Sequence, residues 1–139
     1  MSDTADELVL VERARSVARR AYAPYSKFHV GALALAADGH EFAGVNVENA
    51  AYGSTMCAEA TAIGSAVAAG VRNIDMVAVA TLEGGRHFPC GNCRQLMQEF
   101  GFELVLVLAP DGGVEAHAFG ELLPHLFGPA HLPDTGEGP

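Results

Sequence analysis

Cys57-Ala-Glu59 is followed about thirty residues later by Pro89-Cys-Gly-Asn-Cys93, and these two segments contain all three cysteines of the 139-residue chain. Thiolates are ligands that suit zinc, and three protein ligands leave one position of a tetrahedral zinc site open. An open position is typical of a catalytic zinc site rather than a structural one. The two segments therefore indicate an enzyme whose metal centre draws its ligands from two separate parts of the chain.

Both cysteine segments lie where the sequence predicts the start of a helix. The stretch 57–69 is rich in small residues with helical spacing, and Gly70 is suited to end it. A second, short helix is predicted over 91–100, so Cys90 and Cys93 lie on the same side of its first turn. The N-terminus of a helix carries free amide groups and a partial positive charge, which lowers the pKa of a thiol and stabilises thiolates around a metal.

Glu59 and Arg94 have predicted roles beside the metal. Glu59 stands two positions after Cys57, away from that residue's helix face, so it is predicted to act as a general acid–base over the open position. Arg94 directly follows Cys93 and is the cation expected to offset the negative charge of the thiolates. This charge-tuning role is an expectation from sequence position alone.

Other interpretations of the cysteines are open at this point. A single buried cysteine is usually a small apolar core residue, and Cys-x-x-Cys by itself is also a redox motif. A structural zinc site would need a fourth protein ligand, for which His87 is the nearest candidate, although a histidine in a loop is more often simply solvated.

The composition predicts one globular, cytoplasmic domain. Seventeen acidic residues against eight basic ones give a formal charge of −9, which disfavours nucleic acid as a partner because that binding uses clustered Lys and Arg. The N-terminus is acidic where a signal peptide would be basic, and no apolar run approaches the length of a membrane span. An odd cysteine count without a secretion signal favours free thiols. We expect one domain over residues 1–132 and a disordered tail over 133–139.

The predicted elements follow the order α-β-β-α-β-α-β-β-α. The opening helix has an apolar face formed by Leu10, Ala14, Val17 and Ala21. Asp38-Gly39 predicts a hairpin turn between strands over 29–36 and 41–47. Further strands are predicted over 76–82, 103–109 and 114–119, and a last helix over 121–127, interrupted by Pro124. This order predicts an α/β fold, a three-layer α/β/α sandwich with one mixed five-stranded sheet.

A wider similarity extends beyond the cysteine motif. It includes Tyr25–Ala32, Val45–Ala50, the stretch from Gly91 to Gln95, and Leu122–Gly128. With these segments, residues 8–132 resemble the small, usually tetrameric cytidine deaminases of the three-cysteine zinc type. The resemblance implies a cytidine deaminase-like fold and a hydrolase of pyrimidine salvage. Such an enzyme converts cytidine and deoxycytidine to uridine and deoxyuridine with release of ammonia.

The resemblance also assigns roles to individual residues. It makes Cys57, Cys90 and Cys93 the zinc ligands, and it makes Glu59 the group that moves protons from water to N3 and then to the leaving amino group. The amide of Ala58 is expected to hydrogen-bond the developing charge or the ring.

The implied substrate is a small nucleoside, and the implied assembly is a homotetramer. Asn46 and Glu48 match residues that hold the ribose hydroxyl, and Phe28 matches an aromatic residue that packs against the pyrimidine. Phe127 matches one that reaches a neighbouring subunit's pocket, so active sites would be shared between subunits.

Two positions depart from the family's usual pattern. Ala60 stands where many relatives have an arginine that partly neutralises a cysteine ligand, which leaves more of that compensation to Arg94 and the helix ends. Asn92 lies between the paired cysteines, where a small residue is common, and its side chain can hydrogen-bond a thiolate or face solvent.

Three alternatives compete with this interpretation. A deaminase of a modified cytosine nucleoside or of a blasticidin-like antibiotic would use the same chemistry, although the Asn-Val-Glu-Asn segment favours a plain ribose. A non-catalytic, zinc-stabilised binding module would not require Glu59. Editing of RNA or DNA is disfavoured by the negative charge.

Overall fold

The computed structural model describes residues 4–133, so the predicted tail lies outside the described part of the chain except for Pro133. The predicted three-layer α/β/α architecture with a mixed five-stranded sheet is confirmed. Its elements are α1 (Thr4–Val17), β1 (Val30–Ala36), β2 (Glu41–Val45), α2 (Ala58–Ala68), β3 (Ile74–Thr81), α3 (Gly91–Gln98), β4 (Leu104–Leu108), β5 (Val114–Ala118) and α4 (Phe119–Leu122).

The strand order explains why two distant parts of the chain meet. The order is β2-β1-β3-β4-β5, and β1 is antiparallel to both of its neighbours. Strands β2 and β3 therefore run in the same direction and end at the same edge of the sheet. The helix that follows each of them, α2 after β2 and α3 after β3, begins at that edge. The predicted hairpin turn at Asp38-Gly39 connects β1 to β2, and Gly39 has a φ of 94°.

Each face of the sheet is covered by its own helices. On one face, α1 packs against side chains of the central strands, including Leu33, Ala78 and Leu106. On the other face, α2 and α3 pack against alternate residues of the same strands, including Val77, Val79 and Val105. These strands are buried on both faces, which agrees with their nearly continuous apolar sequence. Among residues 4–133, no helix combines the length and apolarity that crossing a membrane requires.

The buried face of α1 differs from the predicted one. Val11 and Ala14 are fully buried, as is Ala18 in the 3-10 turn Ala18–Arg20 that continues the helix, whereas Leu10 and Val17 are only partly covered. The cause is Gly31 on β1, where an added Cβ would lie 2.0 Å from the carbonyl oxygen of Ala14. The helix backbone rests directly on the strand at this point, and only small side chains fit beside the contact.

The last predicted helix is also wrong in its position and length. Helix α4 spans Phe119–Leu122 and not residues 121–127. A proline disfavours the helical conformation of the residue before it, and Leu123, which precedes Pro124, has φ −143° and ψ 69°. Pro124 therefore ends this helix instead of interrupting it.

Candidate active site

The three cysteine sulfurs lie together at the sheet edge where α2 and α3 begin. All three are within 4.8 Å of one another, and the Sγ atoms of Cys57 and Cys90 are 3.7 Å apart. Zinc–sulfur bonds of about 2.3 Å in a tetrahedral site require sulfurs roughly 3.8 Å apart. The donor set therefore fits a zinc ion held by three thiolates with one position open.

The predicted helix starts are observed at this cluster. Cys57 is the N-cap of α2 and Cys90 is the N-cap of α3. Burial raises the pKa of the Cys90 thiol, but hydrogen bonds from the Cys93 amide, the other thiols and the Asn92 amide outweigh it, so the pKa is lowered. Asn92 thus contributes its backbone N–H to the cluster, and the residue as a whole is exposed.

The other two thiols need a cation to ionise. Burial, followed by the neighbouring Cys90, raises the pKa of Cys57 to about 11. The pKa of Cys93 is also raised, first by burial and then by the negative charges of Glu59 and the other two cysteines. A divalent cation at the centre of the cluster would reverse this balance, because it favours the charged form of each ligand.

Glu59 lies in the first turn of α2, two residues from Cys57, and its side chain is almost completely buried, with 2% exposed. Burial raises the pKa of its carboxyl group, and only its own backbone amide acts in the opposite direction. A carboxyl group with a raised pKa is suited to accept and return protons near neutral pH.

A cavity of about 250 Å³ leads to Glu59 and the cysteines. Its walls include several residues predicted from the sequence, namely Phe28, Asn46, Glu48, Cys57, Ala58, Glu59 and Cys90. The structure therefore brings together predicted residues from four separate parts of the chain. Such a cavity, largely apolar with a few convergent polar groups, is typical of a small-molecule site.

Asn46 and Glu48 also hold the segment that carries Phe28. The Asn46 side chain accepts a hydrogen bond from the Val30 amide at 2.9 Å and donates one to the Phe28 carbonyl at 2.8 Å. Glu48 accepts hydrogen bonds from the amides of Tyr25 and Ser26 at 2.9 and 3.1 Å, and from the Ser26 hydroxyl. An amide group has two N–H donors and a carboxylate about four lone-pair sites, so both groups can also bind a ligand.

These hydrogen bonds support a strained turn. Lys27 has a φ of 63°, a conformation that side-chain-bearing residues rarely adopt. The hydrogen bonds with Ser26 lower the pKa of Glu48, so its carboxylate is ionised when it binds the turn. The turn fixes the backbone immediately before Phe28, whose ring lines the cavity.

Arg94 and Phe127 lie outside the cavity lining. Arg94 donates hydrogen bonds to the carbonyl oxygens of Pro89 and Leu122, both at 2.8 Å. It therefore links the residue before Cys90 to the end of α4. Phe127 is 55% exposed and stacks on His131, with ring centroids 5.6 Å apart.

Gly44 and Thr61 are further residues that position the site, and the sequence analysis did not single them out. An added Cβ at Gly44 would lie 2.3 Å from both the Ala58 oxygen and the Ala62 nitrogen, so β2 and the first turn of α2 are in direct backbone contact. The Thr61 hydroxyl lies 2.8 Å from the Val45 oxygen and 2.9 Å from the Ala58 oxygen. A glycine in a strand can mark such a close backbone approach, which is the signal that could have identified Gly44.

Comparisons with known proteins agree with this geometry. The profile of a family described as "Cytidine and deoxycytidylate deaminase zinc-binding region" matches residues 4–109. A cytidine deaminase of Sporosarcina psychrophila is 41% identical over 130 residues, which are 92% of this chain and 96% of the relative. A cytidine deaminase of Mycobacterium tuberculosis is 40% identical over 120 residues, covering 86% of this chain and 88% of the relative.

Solved structures show the same similarity. The crystal structure of cytidine deaminase from Burkholderia pseudomallei has a TM-score of 0.79 at 44% identity, covering 91% of this chain and 100% of the other. The crystal structure of cytidine deaminase from Mycobacterium tuberculosis has a TM-score of 0.76 at 38% identity, covering 86% of this chain and 95% of the other. The match of the family profile over most of the chain and the two relatives near 40% identity lead to one assignment. The chain belongs to the cytidine and deoxycytidylate deaminase family.

Proposed function

We propose that this protein is a zinc-dependent deaminase that hydrolyses cytidine and deoxycytidine to uridine and deoxyuridine with release of ammonia. The observation that carries the proposal is that Glu59, Cys57 and Cys90 line one cavity together with Phe28, His87 and Phe88, and that the sulfur of Cys93 lies within 4.8 Å of the other two sulfurs. The acid–base group and the metal ligands are thus within reach of the same bound ring. Relatives named cytidine deaminase over nearly the full chain support the choice of substrate.

The reaction requires two proton transfers, and Glu59 can perform both. Cys57, Cys90 and Cys93 would hold the zinc ion, which would supply a Lewis acid that lowers the pKa of the attacking water. Glu59 accepts a proton from the attacking water and delivers it to N3 of the pyrimidine, while the water oxygen forms a bond to C4. Glu59 then takes the second proton from that oxygen to the amino group, the C4–N bond breaks, and ammonia leaves.

The walls of the cavity suit a pyrimidine nucleoside. Phe28 offers an aromatic face for the base, and the backbone amide of Ala58, at the first position of α2, is a free donor for the ring or for developing charge. Asn46 and Glu48 offer an amide and a carboxylate for the sugar hydroxyls. Their second task, holding the turn before Phe28, couples recognition of the sugar to the position of the aromatic wall.

The assembly and location of the enzyme are also part of the proposal. We expect a homotetramer with shared active sites, a single domain, and a cytoplasmic location that keeps the thiolates reduced. Support for the oligomer comes from exposed aromatic side chains, with Tyr25, Tyr52 and Phe127 exposed by 49%, 77% and 55%. Tyr25 and Tyr52 lie beside the mouth of the cavity, in a neighbouring depression that they share with Ser26, Glu48 and Thr55.

An absorbance assay of cytidine conversion to uridine tests the proposal, with zinc content measured on every protein. Glu59→Ala and Glu59→Gln, the second of which keeps the length of the side chain, should both retain zinc. Each should lower kcat by about 10³-fold or more, because loss of a general acid–base group typically costs about 10²- to 10⁴-fold. Glu103→Gln, at an exposed glutamate outside the cavity, is the matched control and should keep full activity. Wild-type activity in Glu59→Gln, or a zinc-loaded wild type that turns over a modified nucleoside but not cytidine, would refute the proposed function.

A further inference from the structure

His87 lines the same cavity but has no part in the mechanism described above. Its ring packs against that of Phe28, with centroids 5.3 Å apart and planes inclined by 56°. The side chain is half-buried, and burial lowers the pKa of the imidazole, so the ring is neutral at physiological pH. A neutral imidazole beside an aromatic ring forms a wall that a flat heterocycle can contact.

The residues on both sides of His87 attach its loop to β5. Arg86 donates two hydrogen bonds to the Glu115 carboxylate, at 2.8 and 2.7 Å. The Phe88 ring packs edge-on against that of His117, with centroids 4.9 Å apart, and the His117 Nε2 atom is 3.0 Å from a Glu115 oxygen. We call Arg86, Phe88, Glu115 and His117 the β5 clamp.

The β5 clamp determines where His87 points. Arg86 and Phe88 contact β5, whereas His87 between them contacts Phe28, and both His87 and Phe88 line the cavity. The loop continues directly into Pro89, which is fully buried, and then into Cys90. His87 is therefore held in a fixed position relative to the metal ligands.

The proposed reaction orients the base relative to His87. Glu59 acts at N3, so the N3 edge of the pyrimidine faces α2. The opposite edge, with C5 and C6, then faces the other wall of the cavity, which is formed by the loop that carries His87 and Phe88. This step rests on the proposed function.

We propose that His87 is a specificity-determining residue that packs beside C5 of the pyrimidine and holds the Phe28 ring against the base. It limits the size of a substituent at C5, and it acts on binding of the nucleoside rather than on the proton transfers. Unsubstituted cytosine nucleosides are therefore preferred over those with a group at C5.

Steady-state kinetics with cytidine and 5-methylcytidine test this role. His87→Ala should raise KM for cytidine about fivefold, change kcat by less than threefold, and raise the ratio of kcat/KM for 5-methylcytidine over cytidine at least fivefold. His87→Gln, which keeps a polar side chain, should change the ratio of kcat/KM values in the same direction. It replaces the alanine variant in this test if that variant does not fold. His125→Ala, at an exposed histidine outside the cavity lining, is the control and should leave the ratio unchanged.

The outcomes separate this role from a structural one and from the proposed function. If His87 only supported the fold, both substrates would lose the same factor and the ratio would stay within twofold of the wild type, which would overturn the assignment. A loss of kcat with an unchanged KM would overturn it as well. A wild-type protein without activity on cytidine would instead refute the proposed function.

Discussion

Gly44→Ala would insert a methyl group between β2 and the first turn of α2, the turn that carries Glu59 and follows Cys57. The added Cβ would lie 2.3 Å from two backbone atoms of the helix, whereas real Cβ contacts are essentially never under 3.0 Å. The helix start must therefore move by at least 0.7 Å, the difference between these distances. Backbone atoms cannot rotate away as a side chain can, so the displacement reaches the metal ligand and the acid–base group.

The expected consequences are a moderate loss of stability and a large loss of activity. Overpacking of this kind costs about 1–3 kcal/mol of unfolding free energy. A misplacement near 1 Å in a catalytic site lowers the rate on the order of 10²-fold. We therefore expect a folded Gly44→Ala protein with reduced zinc content and about 1% of wild-type kcat/KM.

Gly31→Ala is the matched control because it creates a similar collision on the opposite face of the sheet. Its Cβ would lie 2.0 Å from the Ala14 oxygen and 2.6 Å from the Ala18 nitrogen, so it displaces α1 and not α2. Thermal unfolding, zinc analysis and the cytidine assay should be run on both variants. Equal loss of activity in the two variants, or wild-type zinc content and activity in Gly44→Ala, would refute this account of how the site is positioned.

Three further results are expected. Arg94→Gln should lower turnover about tenfold, because it leaves the carbonyl groups of Pro89 and Leu122 without their donor and so loosens the segment before Cys90. Unchanged turnover at unchanged zinc content would contradict this. Asn46→Ala should raise KM for cytidine and also lower the melting temperature, because the Phe28 carbonyl and the Val30 amide lose their hydrogen-bond partner. A higher KM with an unchanged melting temperature would show that the side chain serves the substrate alone. Zinc should be released to a chelator more readily at pH 5.5 than at pH 7.5, because the cysteines bind the metal as thiolates and protons compete for them as the pH falls. Atomic absorption measures the zinc that remains bound, and equal release at both pH values would exclude thiolate ligation as the main source of affinity.

The fold was predictable where a local pattern has one structural solution. An Asp-Gly pair between two apolar runs specifies a hairpin, and β1 and β2 form one. Buried strands with continuous apolar sequence were recognisable for the same reason, and cysteine at the predicted helix starts agreed with the N-caps that are observed. In each case the residues that form the recognisable sequence pattern are also the residues that form the turn, the strand or the helix start.

Prediction failed where the deciding contact lies far along the chain. The apolar pattern of the first helix placed Leu10 and Val17 on its buried face beside Ala14, but the close approach of Gly31 on β1 to Ala14 and Ala18 turns a face with Val11, Ala14 and Ala18 to the sheet. In the site, the resemblance assigned Asn46 and Glu48 to the ribose hydroxyl, and their hydrogen bonds to the turn before Phe28 could not be derived from spacing. His87 was considered as a fourth zinc ligand or a solvated loop residue, because its position beside Phe28 depends on tertiary contacts with β5.

The separation of the cysteines along the chain has a thermodynamic consequence. Cys57 and Cys90 are 33 residues apart, and they follow different strands of the sheet. A cross-link between such residues restricts the unfolded chain, and for a covalent loop of this length the loop-closure entropy corresponds to about 4 kcal/mol at 25 °C. A metal ion bound by both Cys57 and Cys90 would restrict the unfolded chain in the same way as such a cross-link. Metal supply would therefore govern the amount of folded protein as well as its activity.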